Sequence, residues 1–168
     1  MFNTIGQNRA LRQSQAAAAV ICARREGSLQ WLVRWNNKWR CYHLVGGHRE
    51  AGESFRDCLI REVKEELSLC EGDDFFVGKE PLAHLEYEAW SESHGEQTLY
   101  IVELFAVKIA DLDGLLRAGQ REDIRWATRS RIEDGRFADG LPIAAATNRW
   151  LAHIHWTNPS ETDVDFAD

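Results

Sequence analysis

The chain has 168 residues, which fits one domain that can build a hydrophobic core without disulfide staples. Its hydrophobic content of 44% and charged content of 28% are those of an ordinary globular protein. The net charge of −7 argues against broad binding to nucleic acids or membranes, because phosphate surfaces attract clustered lysine and arginine. A small phosphorylated ligand bound through a cation stays compatible with that charge.

We predict an N-terminal arm over residues 1–15, a domain over residues 16–156 and an acidic tail over residues 157–168. Hydrophobic runs bounded by turn residues predict the strands of this domain. In chain order, the predicted strands cover residues 16–23, 30–35, 42–45, 82–89, 99–109 and 124–127. The first of these runs is too short to cross a bilayer, and we expect no membrane span.

Residues 54–67 carry the clearest helix pattern. Ser54 can cap the N-terminus, and Asp57 lies three residues later, near the positive end of the helix dipole. Apolar residues then recur every four positions along one stripe. A second helix is predicted over residues 142–155, with Pro142 near its first turn. Strands mixed with two main helices predict the α/β class, with helices covering a mixed sheet.

The four cysteines form no Cys-x-x-Cys pair. With no convincing export signal, we interpret them as reduced thiols of a cytoplasmic protein. They are Cys22, Cys41, Cys58 and Cys70.

Three carboxylates share one face of the clearest helix, since Glu62, Glu65 and Glu66 stand at positions i, i+3 and i+4. Their charges repel each other, and Arg61 and Lys64 cannot neutralise all of them. A divalent cation would reverse the sign of this energy, and Mg²⁺ favours a few carboxylates together with water and phosphate oxygens. The alternative is a solvated acidic face without a ligand, which is common on helices.

A longer pattern surrounds these carboxylates and resembles the Nudix box. The family pattern is, in order, a glycine, five residues, Glu, seven residues, Arg-Glu-aliphatic, one residue, Glu-Glu, one residue, a glycine and an aliphatic residue. The matching residues are Gly47, Glu53, Arg61, Glu62, Val63, Glu65, Glu66 and Leu69. Ser68 departs from the pattern, because the family has glycine at this helix end.

The resemblance implies an α/β/α sandwich with a mixed sheet and a loop–helix–loop that holds Mg²⁺ or Mn²⁺. It also implies hydrolysis of a nucleoside diphosphate linked to another group, by attack of water on phosphorus. By the same resemblance, Glu62 and Glu66 are metal ligands, and Glu65 is a further ligand or the base that deprotonates the water. The carbonyl of Gly46 is an additional ligand, and a pair of residues braces the loop against the helix. That pair is Glu53 and Arg61.

Three residues outside the box are candidates for substrate contact. Glu122 lies in a segment that resembles the loop before the last helix of many Nudix enzymes, where a glutamate sometimes acts as base or ligand; a surface charge is the alternative. Trp35 and Trp39 are candidates for stacking on a nucleobase, with packing as the alternative.

Four functions fit the pattern. The first is a metal-dependent pyrophosphohydrolase with a small phosphorylated substrate, and the second is a module that binds a nucleotide or sugar nucleotide without turnover. Removal of a 5′ pyrophosphate from RNA is the third, and we disfavour it because the sequence shows no basic groove. An isomerase of diphosphate-bearing lipids is the fourth. The resemblance also allows a homodimer, and it assigns specificity to loops outside the box, here residues 36–42, 88–97 and 111–122.

Overall fold

The computed structural model describes residues 11–112 and 121–154. These residues form nine strands and three helices. In chain order they are β1 (Arg12–Val20), β2 (Cys22–Arg25), β3 (Ser28–Asn36), β4 (Cys41–His43), β5 (Gly46–His48), α1 (Phe55–Leu67), β6 (Phe75–Val77), β7 (Ala83–Ser91), β8 (Glu96–Ile109), β9 (Ile124–Thr128), α2 (Arg129–Asp134) and α3 (Ala145–Leu151).

The strands form two sheets. The larger sheet has the order β5-β1-β8-β6, and β7 also pairs with the long strand β8. Strands β1 and β8 run parallel, whereas the other pairs of this sheet are antiparallel. The smaller sheet has the order β2-β3-β4, with β9 also paired to β3. The predicted α/β class with a mixed sheet is confirmed.

Strand β1 is rich in alanine and lies at the centre of the protein. Ala17 and Ala19 belong to the hydrophobic cluster that includes the buried face of α1. Ala16 and Ala18 alternate with them and belong to the cluster between the two sheets. Small side chains on the face toward α1 let the box helix pack closely on this strand.

The structure corrects several predicted elements. Strand β1 begins at Arg12, inside the segment that we assigned to the arm, and strands β2, β5 and β6 and helix α2 were not predicted. The last helix of the described residues is shorter than predicted and begins at Ala145. The carbonyl of Pro142 accepts a hydrogen bond from the Tyr42 amide at 2.8 Å, so this proline extends along β4 and does not start a helix. The ends of the chain at 1–10 and 155–168 lie outside the described residues.

No helix in the described part of the chain is long and apolar enough to cross a membrane. All four cysteines are free thiols, as predicted. Cys58 is buried on α1, and burial raises the pKa of its thiol to about 11.

Candidate active site

Two glycines let strand β5 lie directly against its neighbours. Gly46 has φ +146°, and a Cβ there would overlap the carbonyl of Ala17 and come within 2.7 Å of the Ala18 Cα. A Cβ on Gly47 would overlap the carboxylate of Glu62. Glycine at these positions therefore brings the backbone of β5 into contact with β1 on one side and with a helix carboxylate on the other.

Arg61 links the loop before α1 to the helix. Its Nε donates to Oε1 of Glu53 at 2.7 Å, and its Nη1 donates to Oε1 of Glu62 at 2.8 Å. Its Nη2 donates to the carbonyl of His48 at 3.0 Å. Hydrogen bonds from Arg61 and from the Glu50 amide lower the pKa of Glu53 to about 2. Glu53 is therefore a fixed anion at neutral pH that holds the guanidinium in place.

Glu62 and Glu66 are the two partly buried carboxylates of helix α1. Each side chain is only 15% exposed, and burial raises the pKa of both groups. Arg61 opposes this shift at Glu62, as Arg34 does at Glu66, where its Nη1 lies 2.9 Å from Oε1. The second oxygen of Glu66 accepts from the amide of Gly46 at 3.2 Å. Both carboxylates therefore lie near the contact between α1 and β5.

Glu65 has a different environment from these two acids. Its side chain is 60% exposed, and it pairs with Arg61, whose Nη1 lies 3.6 Å from Oε2. The helix thus presents two shielded carboxylates and one that faces solvent. The metal and base roles that we assigned to the three stay predictions.

Arg34 on β3 is a site residue that sequence reasoning missed. Besides Glu66, it binds Asp123, with 2.8 Å between Nε and Oδ2. Arg121 binds the same aspartate at 3.0 Å and donates to the backbone carbonyl of Glu66 at 2.8 Å. The four residues form a closed ring that holds Glu66 by its side chain and its backbone. No local sequence signal reveals this ring, because its members come from three distant segments.

Ser68 ends helix α1 in the left-handed conformation that the family pattern assigns to glycine. Its φ is 58° and its ψ is 40°, and its amide donates to the carbonyl of Lys64 at 3.0 Å. Arg121 also donates to the carbonyl of Leu67 at 3.1 Å. Ser68 therefore adopts the same cap geometry as the glycine of the family pattern. Holding an L-residue with a side chain in this left-handed region costs about 1 kcal/mol.

We expect Ser68→Gly to stabilise the protein by about 0.5–1 kcal/mol. Glycine removes the cost of a side chain in the left-handed region, and this gain exceeds the stability lost because glycine gives the unfolded chain more entropy. Chemical denaturation measures the free energy of unfolding. Ser68→Ala is the matched control, since it keeps a Cβ at this position. A Ser68→Gly protein no more stable than Ser68→Ala would contradict the proposed strain.

An open cleft of about 880 Å³ lies along β5, beside the box. Gly46 and Gly47 line it, and the same two glycines contact Glu66 and Glu62. Trp39 also lines the cleft and is 54% exposed. The candidate stacking residue Trp39 thus lies on the same cleft as the two glycines.

Three residues that line this cleft have buried polar atoms without a hydrogen-bond partner among the described residues. They are Ser14 Oγ, His43 Nε2 and Thr147 Oγ1. Burial lowers the pKa of His43, which favours a neutral ring. Leaving a buried polar group unpaired costs about 1–3 kcal/mol. Such groups around a cleft are typical of a site that a bound ligand or water completes.

Trp35 and Glu122 lie elsewhere, at a second and smaller cleft. Trp35 packs edge-on against Tyr42 and donates from its indole to Asn37 at 3.0 Å. The Glu122 carbonyl lies 3.4 Å from the Tyr42 hydroxyl. These two candidates therefore do not share the cleft of Gly46 and Trp39, and their contact with substrate stays a prediction. Residues 113–120 of the third predicted specificity loop lie outside the described residues.

Comparison with known protein families decides what kind of domain this is. The family model described as the NUDIX domain matches residues 13–150, which is most of the chain. The chain belongs to the Nudix family. The resemblance seen in the box is thereby confirmed.

Relatives of this Nudix chain include the NAD-capped RNA hydrolase NudC of Mycobacterium bovis. The two are 37% identical over 65 residues, which cover 38% of this chain and 21% of that protein. The chain thus matches only about a fifth of the length of these curated relatives. These relatives and the family match together point to the class of hydrolases that act on phosphorus-containing acid anhydrides.

Solved structures support the Nudix fold. The Ap4A hydrolase of C. elegans is 18% identical with a TM-score of 0.52, over 83% of this chain and 93% of that chain. NrtR of Shewanella oneidensis, solved with a 27mer DNA, is 13% identical with a TM-score of 0.57, over 82% of this chain and 58% of that chain. At these identities the likeness shows the fold alone.

The Nudix family generally uses divalent metal ions, and the carboxylates of the box are the groups of this chain that could bind one. The described residues contain no group of three His, Cys, Asp or Glu side chains that could hold a metal ion together. Glu62 and Glu66 still fit a hard cation in chemistry, because both are shielded carboxylates beside the glycine backbone of β5. One oxygen of each is held by an arginine, and the second oxygen of Glu66 accepts from the Gly46 amide. These two carboxylates would therefore hold an ion together with water and phosphate oxygens.

Proposed function

We propose that this Nudix protein is a pyrophosphohydrolase that cleaves the diphosphate of a nucleoside diphosphate linked to another group, with Mg²⁺ or Mn²⁺. One observation carries the proposal: two shielded carboxylates, Glu62 and Glu66, contact the same glycine strand that lines a ligand-sized cleft. Burial raises the pKa of both acids in spite of their arginines, so a divalent cation would favour their charged forms. A diphosphate in the cleft would lie against the same two glycines that these acids contact.

Glu62 and Glu66 would hold the ion, with the carbonyl of Gly46 as an additional donor. When bound, the ion screens the diphosphate charge and lowers the pKa of a bound water. Glu65 has the exposed carboxylate, so it would accept the proton as the water oxygen bonds to phosphorus. The P–O bond of the bridge breaks on the opposite side, and two phosphorylated products leave. Arg61 would keep Glu62 oriented through its bond to Glu53.

The first test is a screen of diphosphate compounds with Mg²⁺ or Mn²⁺, in which phosphatase coupling releases the phosphate that is measured. We expect turnover of at least one nucleoside diphosphate derivative and its loss in EDTA. Titration of Mn²⁺ followed by electron paramagnetic resonance reports ion binding without turnover. Ion and ligand binding without any hydrolysis would favour the binding module, and no Mn²⁺ binding would contradict the metal assignment.

A specific observation favours RNA as a second substrate class. We disfavoured RNA because the sequence shows no basic groove, but the charged residues that line the cleft are Arg12, Lys38, Arg49 and Arg149. They come from four separate segments, so no sequence window shows them together. The similarity to a hydrolase of NAD-capped RNA points the same way. Comparing kcat/KM for NAD and for a short NAD-capped RNA separates the two classes. A homodimer stays a prediction.

A further inference from the structure

The cleft beside the box has a charge opposite to that of the whole chain. The net charge of the chain is −7, yet the described residues that line the cleft include no aspartate or glutamate. The side chains that line the cleft therefore favour anions, in a protein that is acidic as a whole. A bound diphosphate alone does not explain the basic lining of the cleft, because the ion at the box would neutralise the charge of the diphosphate.

Basic side chains from several segments meet at this cleft. They include Arg12, Lys38, His48 and His94, and Arg12 Nη2 lies 3.1 Å from His94 Nε2. All four residues line the cleft. Arg12 and Lys38 carry fixed positive charges and no described aspartate or glutamate lines the cleft, so these side chains attract an anion that enters it.

His94 is held in a defined orientation next to Arg12. The distance from Arg12 Nη2 to His94 Nε2 is 3.1 Å, and arginine can only donate, so this nitrogen accepts. The hydrogen of the neutral ring then lies on Nδ1, which contacts the hydroxyls of Ser91 and Ser93 at 3.2 Å and 2.9 Å. The guanidinium keeps further N–H donors for another acceptor.

Two more features at this part of the cleft suit a ligand. Ser14 lies two residues after Arg12, on the same face of β1, and its buried hydroxyl has no partner among the described residues. Trp90, next to the Ser91 end of β7, also lines the cleft and is 57% exposed. An exposed indole beside cations is a surface on which a nucleobase can stack.

Arg12 lies far along β1 from the glycines that contact the carboxylates of the box. In the sheet register Gly47 pairs with Ala17 and Gly46 with Ala18, five and six residues after Arg12, which corresponds to about 17–20 Å along the strand. A phosphate near Arg12 is therefore a different group from the diphosphate beside Gly46 and Gly47.

We propose that Arg12, Lys38, His48 and His94 form an anion subsite that takes a phosphate group carried by the substrate beyond the diphosphate that is cleaved. The proposal rests on the proposed function only for the position of the cleaved bond. Two sources have this chemistry: an extra phosphate on a dinucleotide and the first phosphodiesters of an RNA chain.

The test measures equilibrium binding by calorimetry in EDTA, so that no hydrolysis is needed and failure of the subsite is distinguishable from failure of the activity. The probes are NAD, NAD phosphorylated on its adenosine ribose, and an NAD-capped trinucleotide RNA. We expect at least one phosphorylated probe to bind about tenfold more tightly than NAD, the effect of one charge-assisted contact. The probe that does so identifies the source of the phosphate.

Arg12→Ala is expected to reduce this advantage below about twofold while NAD itself binds as before. Lys38→Ala is a second variant in case the first is poorly folded, which circular dichroism reports. Arg129→Ala, which removes an exposed α2 arginine paired with Glu133, is the matched control and should keep the full advantage. Equal binding of all three probes, or equal weakening of all probes by Arg12→Ala, would overturn the subsite.

Discussion

Replacing Glu66 by Gln is expected to lower kcat by about hundredfold or more, because it removes a charge worth several kcal/mol where the proposed ion binds. The amide has the same shape, and Arg34 keeps its partner Asp123 at 2.8 Å, so the fold should stay intact. Steady-state kinetics on the best substrate of the screen measures the loss. Thermal unfolding, monitored in the same preparation, should show only a small change.

Glu133→Gln is the matched control for this variant. Glu133 is an exposed helix glutamate that also pairs with an arginine, at 2.7 Å from Arg129. It should keep full activity and full Mn²⁺ binding. Glu65→Gln tests the neighbouring acid, which is exposed, and should lower kcat more than it lowers Mn²⁺ affinity if Glu65 is the base. Full activity of both Glu65→Gln and Glu66→Gln would refute the site assignment.

Gly47→Ala is expected to reduce kcat by about hundredfold with little loss of stability. The added methyl group would overlap the carboxylate of Glu62, which is the end of a flexible side chain and can move away. A displacement of about 1 Å at a reacting centre costs up to about hundredfold in rate. Kinetics measures the rate, and denaturant titration measures the free energy of unfolding.

Gly46→Ala provides the contrast one residue earlier. There the methyl group would meet the backbone of Ala17 and Ala18 at φ +146°, so β5 itself has to shift. We expect a loss of about 3 kcal/mol or more of stability. If Gly47→Ala keeps full activity, or destabilises the protein as much as Gly46→Ala does, the proposed position of Glu62 in the site is wrong.

The box helix could be predicted from the sequence because its determinants are local. Ser54 caps it, and Asp57 completes a capping box in the structure. The apolar stripe that we predicted supplies the buried residues Leu59, Val63 and Leu67. The predicted start at Pro142 failed because the tertiary pairing of that segment with β4 outweighed a helix-start signal that many turns share.

The surroundings of the box could not be predicted, because they depend on contacts between distant segments. Arg34 and Asp123 are 89 residues apart, and neither stands out in its own segment. The basic lining of the cleft has the same origin, since Arg12 and Arg149 come from opposite ends of the domain. Spacing along a chain indicates which face of a helix a residue occupies, but not which strand covers that face.

The ring that holds Glu66 makes the box incomplete as a portable unit. Residues 47–69 carry the family pattern, but the side chains that fix its last acid belong to β3 and to residues 121–123. A graft of the box onto another scaffold would therefore transplant the acids without their restraints. Arg34, Arg121 and Asp123 would have to be transferred with it for Glu66 to keep its orientation.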